Sequence, residues 1–245
     1  MTLNDTKLHL EKNGFAILEH IYIEAEIQQL LSIIENVDTT ADTFRKSENL
    51  FAIRQFLKEI PESFEILLNS RLKEVINEVF GNGYFAVKSI YFDKPAESNW
   101  FVAYHQDLTI SVDKKQDQAG YGPWTVKQNQ FAVQPPLDVL ENIFTLRIHL
   151  DDTNEHNGAL KVIPGSNNKQ IYRPETIDWN TETETTCLVP KGGIMIMKPL
   201  LLHSSGRTTN NQRRRVIHIE FSNKELPDGL QWSERIDILK QETYA

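Results

Sequence analysis

The chain of 245 residues has a single cysteine, Cys187, so no disulfide can form within it. One thiol suits a reducing compartment, and the expected location is cytoplasmic. The opening residues, Met1-Thr2-Leu3-Asn4-Asp5, lack the basic end and apolar run of a secretory signal. No apolar stretch approaches the roughly 20 residues that cross a bilayer, so no membrane partner is expected. Positive charge is in the minority. With 26 basic and 34 acidic residues the net charge is −8, which argues against a nucleic-acid partner, because a phosphate backbone repels a net anionic surface. There is no repeat, no low-complexity tract, and no glycine-rich loop opening a helix, which argues against a nucleotide fold.

What is present builds a core. Apolar residues make up 40% of the chain, enough for one full domain over residues 1–245. The first third, 1–83, reads as mostly helical. Ile27, Leu30, Leu31 and Ile34 recur at helical spacing, as do Leu72, Val75, Ile76, Val79 and Phe80, with Gly81-Asn82-Gly83 as a stop. Pro61 can open a short helix between them. From Tyr84 the texture turns aromatic and β-branched, and strands are expected at 84–92, 101–105, 130–134, 143–150, 159–163, 193–198 and 214–221. Turn residues separate them, as in Asn157-Gly158 and Pro164-Gly165-Ser166. Many short strands after a helical start predict an antiparallel sandwich or barrel with helices packed outside. Residues 112–130 read as a long polar connection and a candidate lid.

Of the seven histidines, three in the β-rich part from Tyr84 onward head an H-x-acid triplet: His105-Gln106-Asp107, His149-Leu150-Asp151 and His218-Ile219-Glu220. On a strand, residues i and i+2 share a face, so each triplet can aim an imidazole and a carboxylate at one ion. A third ligand, a histidine from elsewhere, would complete the facial triad of non-haem Fe(II) oxygenases. His218 has no histidine after it, and His149 runs into a turn. The first triplet has an aromatic approach (Trp100, Phe101, Tyr104) and a set of partners downstream: an apolar strand delivers His203, and Arg214 follows eleven residues later. A carboxylate cosubstrate chelating iron at one end needs a cation at the other, and arginine offers a planar, permanently charged fork.

These residues carry a family resemblance. Phe92-Asp93-Lys94-Pro95 through Asn99-Trp100 to Ile110, Leu146 to Asp152, Asn157 to Ser166, and His203 to Arg214 together resemble the phytanoyl-CoA dioxygenase family of Fe(II)/2-oxoglutarate-dependent oxygenases. The resemblance runs from Asn13 to Phe221. It implies a fold that is mainly β with α: a double-stranded β-helix, or cupin-like jelly roll, over residues 84–222 with the N-terminal helices packed outside. Carried over by position, it implies that His105, Asp107 and His203 bind iron and that Arg214 grips the distal carboxylate of 2-oxoglutarate, with Ser205 adding a hydroxyl. Lys88, Thr145 and Arg147 are further cosubstrate candidates on the same basis. The flanking Arg213 and Arg215 should point away if Arg214 points in. Two departures concern turns: Asn167 stands where relatives often have His, and Gly192-Gly193 where many have Gly-Asp.

The implied reaction consumes dioxygen and 2-oxoglutarate, releases succinate and carbon dioxide, and hydroxylates a small organic molecule. With Asp107 present, hydroxylation is favoured over halogenation, since halogenating relatives have a small residue there. Trp100, Phe101, Tyr121, Trp124 and Phe131 are candidates to line an apolar substrate cavity. The protein is expected to act as a monomer or homodimer. Two other readings compete: a cupin-like metalloenzyme with no use for 2-oxoglutarate, and a non-catalytic binding module on the same scaffold.

Overall fold

The computed structural model describes residues 2–37, 43–47, 50–96, 98, 100–127 and 130–238. Asn99, Gln128 and Asn129, which fall within stretches singled out above, lie outside the described residues. In chain order the strands are β1 (Phe15–Leu18), β2 (Phe44–Ser47), β3 (Leu50–Arg54), β4 (Phe85–Lys94), β5 (Val102–His105), β6 (Ile110–Val112), β7 (Trp124–Lys127), β8 (Gln130–Val133), β9 (Ile143–His149), β10 (Leu160–Val162), β11 (Thr185–Thr186), β12 (Ile194–Met197), β13 (His203–Ser205), β14 (Arg214–Ser222) and β15 (Ile236–Asp237). The α-helices are α1 (Leu3–Asn13), α2 (Glu24–Glu35), α3 (Phe56–Glu59), α4 (Phe64–Leu67), α5 (Ser70–Phe80) and α6 (Leu137–Glu141).

Two antiparallel sheets make the body. The large one runs β1-β12-β9-β14-β4-β3-β2, with β15 also on β4, and the small one runs β11-β10-β13-β5. Alternation along the central strands decides what each face does. On β9, Phe144, Leu146 and Ile148 join the main apolar cluster beneath the helices, and Ile217, Ile219 and Phe221 do the same on β14. The residues between them, Thr145, Arg147 and His149 on β9 and Arg214, Val216, His218 and Glu220 on β14, face the opposite way, toward the small sheet. A strand that buries apolar side chains on one face and charged ones on the other has its register fixed. A one-residue slip would put guanidinium groups into the helix interface.

The helices close the apolar face. Ile27, Leu30, Leu31 and Ile34 of α2 and Leu72, Val75, Ile76 and Val79 of α5 are all buried in that cluster, so both stripes read from the sequence are packing faces. Asn69 caps α5 by accepting the Leu72 N–H at 2.9 Å, and Gly81 ends the helix at φ +84°. Glu26 accepts the N–H of Ile23 at 2.7 Å and also pairs with Arg71 at 2.7 Å, which ties the start of α2 to α5. Pro61 opens a short 3-10 turn, Pro61–Ser63.

The seven expected strands are all found, with ends within about two residues of the expected ones. Residues 1–83 hold more than helices: β1 lies beside β12 at one edge of the large sheet, and β2 and β3 extend the other edge. These strands are four or five residues long, too short for an alternation pattern to stand out. The 112–130 stretch is not a plain polar connection. Trp124–Lys127 pairs with Gln130–Val133, which pairs with Ile110–Val112, to make a separate three-stranded sheet. The two unusual turns also have reasons. A Cβ on Gly193 would lie 2.9 Å from the Pro190 carbonyl oxygen and 3.1 Å from that of Leu18, so close backbone approach favours glycine there. Asn167 packs against Gly14, where an added Cβ would come within 2.3 Å of its amide oxygen.

Leu146 is fully buried between the sheet and the helices. Leu146→Ala is expected to lower unfolding free energy by about 2–5 kcal/mol in urea titration, with secondary structure retained by circular dichroism.

Candidate metal centre and cosubstrate cavity

His105 closes β5, His203 opens β13, and the two are register partners in the small sheet. Asp107 follows just beyond β5, where its backbone N–H donates to the Pro199 carbonyl at 2.9 Å and so anchors the turn to the approach of β13. The Nδ1 atoms of His105 and His203 each lie 2.9 Å from a backbone carbonyl, of Ala103 and Leu201 respectively. A carbonyl only accepts, so each Nδ1 carries a proton, and in the neutral ring Nε2 then keeps the lone pair that a metal needs. Those Nε2 atoms face Asp107, at 3.7 Å from Oδ1 for His105 and 3.8 Å from Oδ2 for His203. The three donor atoms lie within 4.8 Å of one another. Such separations are too long for hydrogen bonds and short enough for one ion to bridge.

Electrostatics prepare the donors. Burial is the main influence on His203 and pushes it down to about 4, so it is neutral at pH 7. Burial opposes ionisation of Asp107, but His203, Lys88, His218 and His105 outweigh it and hold the carboxyl at about 2. Two imidazoles and one carboxylate form a donor set that suits Fe(II) and, as a facial triad, would leave positions open for other ligands.

The cavity beside the triad has a volume of about 190 Å³ and lies between the two sheets. Ile90, Phe92 and His218 line it from the large sheet, and Val102, Leu160 and Ser205 from the small one. Arg214 lines it too, is 3% exposed, and has no hydrogen-bond partner for Nε or Nη1 among the described residues. Burial, then repulsion from Arg147, pushes its guanidinium down to about 9. Its neighbours point away as expected: Arg213 pairs with Asp93, and Arg215 with Asp151 at 2.7 Å. A buried cation without a counter-charge is costly, so these orphaned donors fit an anion at that end of the cavity.

The remaining expected contacts differ in how free they are. Arg147 faces the cavity, with Nη1 3.1 Å from His218 Nδ1 and Nε without a described partner. Thr145 is buried on the same face of β9, and its hydroxyl has no described partner. Ser205 donates to the Gly158 carbonyl at 3.0 Å, so its hydrogen is committed. Lys88 is committed as well, to Glu220 at 2.6 Å. Of the five aromatic candidates, Trp100 lines the cavity. Phe101 is instead 51% exposed beneath Arg207, while Tyr121, Trp124 and Phe131 pack on a second apolar cluster. Their sequence neighbourhood put them near the triad, but they do not line the metal cavity; Phe131 lines a neighbouring cavity that shares Lys88 and Ile90 with it.

Several participants were not assigned from sequence. Lys94 is fully buried, faces Arg214 across the β4–β14 pairing, and donates to the Gly206 carbonyl. Burial, then Arg214 and Arg207, lowers its ammonium to about 7. Its signal was available, since residues 88, 90, 92 and 94 share one face of a strand. His218 and Glu220 do face inward together, but they bond each other at 3.1 Å. The His149-Leu150-Asp151 triplet divides: His149 bonds Thr153 at 2.7 Å, while Asp151 holds Arg215.

A model of the phytanoyl-CoA dioxygenase family matches residues 10–216. The chain belongs to this family. Peroxisomal phytanoyl-CoA dioxygenase of Bos taurus is 21% identical over 256 aligned positions, covering 91% of this chain and 68% of the relative. Among solved structures, apo EctD from S. alaskensis superposes with a TM-score of 0.71 at 15% identity, covering 93% of this chain and 79% of that one. HygX from Streptomyces hygroscopicus, with nickel, 2-oxoglutarate and hygromycin B bound, superposes at 0.63 with 15% identity, covering 92% and 91%. These likenesses identify the two-sheet body of this family member as a jelly roll, with the helices outside it.

Burial lowers the pKa of His149, His203 and His218 alike. Below their ordinary value near 6.5 the unfolded chain therefore binds protons that the folded chain refuses, and stability rises with pH. The metal-free protein should lose stability as pH falls from about 6.5 toward 4, by up to about 1.4 kcal/mol per pH unit for each histidine. Urea midpoints at pH 5 and pH 7 measure the slope, and His203→Gln should reduce it by about one proton.

Proposed function

We propose that this protein is a non-haem Fe(II)- and 2-oxoglutarate-dependent oxygenase that hydroxylates a small organic molecule. His105, Asp107 and His203 are our choice of iron ligands, and Arg214 of the cosubstrate clamp. One observation carries the reading: three convergent donors of the right chemistry share a cavity with a buried guanidinium that lacks a counter-charge. A binding module has no physical need for either feature.

When bound, the iron and 2-oxoglutarate supply oxidative decarboxylation to succinate and carbon dioxide, coupled to placing one atom of dioxygen into a C–H bond of the substrate. This chain's residues do the rest. The carbonyls of Ala103 and Leu201 fix both imidazoles in the tautomer that presents Nε2. Arg214 would take the far carboxylate through two parallel N–H bonds, in place of the solvent it lost on folding. Ile90, Phe92, Val102 and Leu160 give the cavity apolar walls, which keep bulk water from competing for the open positions. The chain Lys88–Glu220–His218–Arg147 holds the polar side of the cavity in one arrangement. Among the described residues no helix is long and apolar enough to cross a membrane. The buried single thiol and the charge of −8 support a reducing, cytoplasmic setting and no nucleic-acid partner.

Anaerobic addition of Fe(II) and then 2-oxoglutarate should produce a visible metal-to-ligand charge-transfer band, and Asp107→Ala should abolish it together with succinate release. Arg214→Ala should weaken 2-oxoglutarate binding at least about 30-fold, since losing one partner of a buried charge pair costs about 2–5 kcal/mol. If Arg214→Ala kept full activity, a metalloenzyme that makes no use of 2-oxoglutarate would be the better description.

A further inference from the structure

Residues 104–107 alternate between two tasks. His105 and Asp107 turn toward the metal centre. Tyr104 and Gln106 turn instead onto the loop 170–184. Tyr104 meets the Trp179 ring at 5.9 Å and donates its hydroxyl to Glu184, which also holds Lys161 at 2.7 Å. Gln106 is buried, and both ends of its amide are engaged. Nε2 donates to the Leu200 carbonyl at 2.6 Å and to the Gln170 carbonyl at 2.8 Å, while Oε1 accepts the Tyr172 N–H at 2.8 Å. Two carbonyls at one end and an N–H at the other call for a primary amide. A carboxylate has no hydrogen to give, and an ammonium cannot accept.

The bond to Leu200 belongs to a set. Pro199, Leu200 and Leu201 present successive carbonyls to the site. Pro199 accepts the Asp107 N–H at 2.9 Å, Leu200 accepts the Gln106 amide, and Leu201 accepts His203 Nδ1 at 2.9 Å. The first fixes one ligand and the last fixes another. The middle one ties the turn between His105 and Asp107 to the approach of β13, through a side chain that also reaches the loop. The loop end is itself constrained. Gln170 sits at φ +57°, a conformation that disfavours any residue with a Cβ, and its carbonyl is the one that Gln106 holds. Beyond it the loop is braced internally. The Tyr172 hydroxyl lies 2.9 Å from the Thr176 carbonyl, and Lys169 pairs with Glu182 at 2.8 Å.

We propose that Gln106 is a positioning residue for the metal centre, which sets the His105–Asp107 turn against the approach to His203 and couples that geometry to the order of the 170–184 loop. The inference rests on the assignment of His105, Asp107 and His203 as metal ligands. Gln106 touches neither the ion nor a substrate and acts through the two ligands beside it. Partners behind a ligand fix its direction, so losing them loosens the metal without removing a donor atom. The coupling is reciprocal. An ion that draws the three ligands together steadies the turn, and through the amide it steadies Gln170 and Tyr172.

The test uses the full chain and Co(II) as the probe ion. Affinity is read by competition with a chelator, ligand geometry by the visible ligand-field spectrum, and loop order by hydrogen exchange with and without the ion. Gln106→Met keeps the length of the side chain and removes its donors. It should weaken Co(II) binding about 10–100-fold and change the ligand-field band intensities. In the parent the ion should slow exchange across residues 170–184, and in Gln106→Met that slowing should shrink at least about threefold. Leu30→Ala removes a fully buried side chain of α2, far from the ligand turn in the fold, and controls for lost stability. It should lower the urea midpoint yet keep Co(II) affinity and spectrum within about twofold of the parent. Should Gln106→Met not fold, Gln106→Asn, which keeps the amide one methylene short of its partners, is read in the same three ways. The inference is overturned if the Gln106 variant binds Co(II) with the parent's affinity and spectrum, or if the ion slows loop exchange in it as in the parent. It is overturned too if Leu30→Ala loses affinity to the same extent. A parent protein that binds no Co(II) fails at the ligand assignment itself, and the inference falls with it.

Discussion

Everything inside the cavity depends on the position of β14 between β4 and β9. That strand is paired on both sides, so its register is fixed by two ladders of hydrogen bonds and by a face of Ile217, Ile219 and Phe221 locked under the helices. With that face determined, Arg214, His218 and Glu220 must enter the space between the sheets. Their neighbours on the flanking strands follow by alternation: Lys94 beside Arg214, Arg147 beside His218, and Lys88 and Thr145 beside Glu220. The helices thus do more than cover apolar surface. Their packing supplies the free energy that keeps several charged groups out of water.

The polar side of the cavity is built on two different principles. At the Glu220 end the charges are mutually satisfied, through Lys88–Glu220 at 2.6 Å and Glu220–His218 at 3.1 Å. At the Arg214 end they are not, and orphaned atoms gather there on Arg214, Arg147 and His149. A structure that satisfies one end and leaves donors free at the other fits the proposed seat of the cosubstrate carboxylate beside Arg214. The small sheet completes the arrangement from the other side, since the β5–β13 register alone brings His105 opposite His203, almost a hundred positions away in the chain.

Much of this was legible in the residues. The helical stripes and the seven strands follow from local periodicity, and the His105/Asp107 pair from an i, i+2 spacing, which a sequence displays directly; the link of that pair to His203 and Arg214 is what the family resemblance implies. The aromatic candidates show the limit. Tyr121, Trp124 and Phe131 are near His105 in the chain, yet a hairpin takes them to another apolar cluster. Lys88 shows a second limit: its position on the inner face was readable, but its engagement by Glu220, 132 residues later, was not.

By itself the sequence determined chemistry and local form: which donors exist, which side chains share a strand face, where glycine allows a turn, and which family pattern they match. Only the tertiary structure decided which charges are matched and which are left over. Pairing is a property of three-dimensional neighbours brought together by sheet register, and the cost of an unmatched charge appears only once burial has removed the water that would have screened it. That is why His218 and Glu220, an H-x-acid triplet on the cavity face, bond each other, while Arg214 stands without a partner among the described residues.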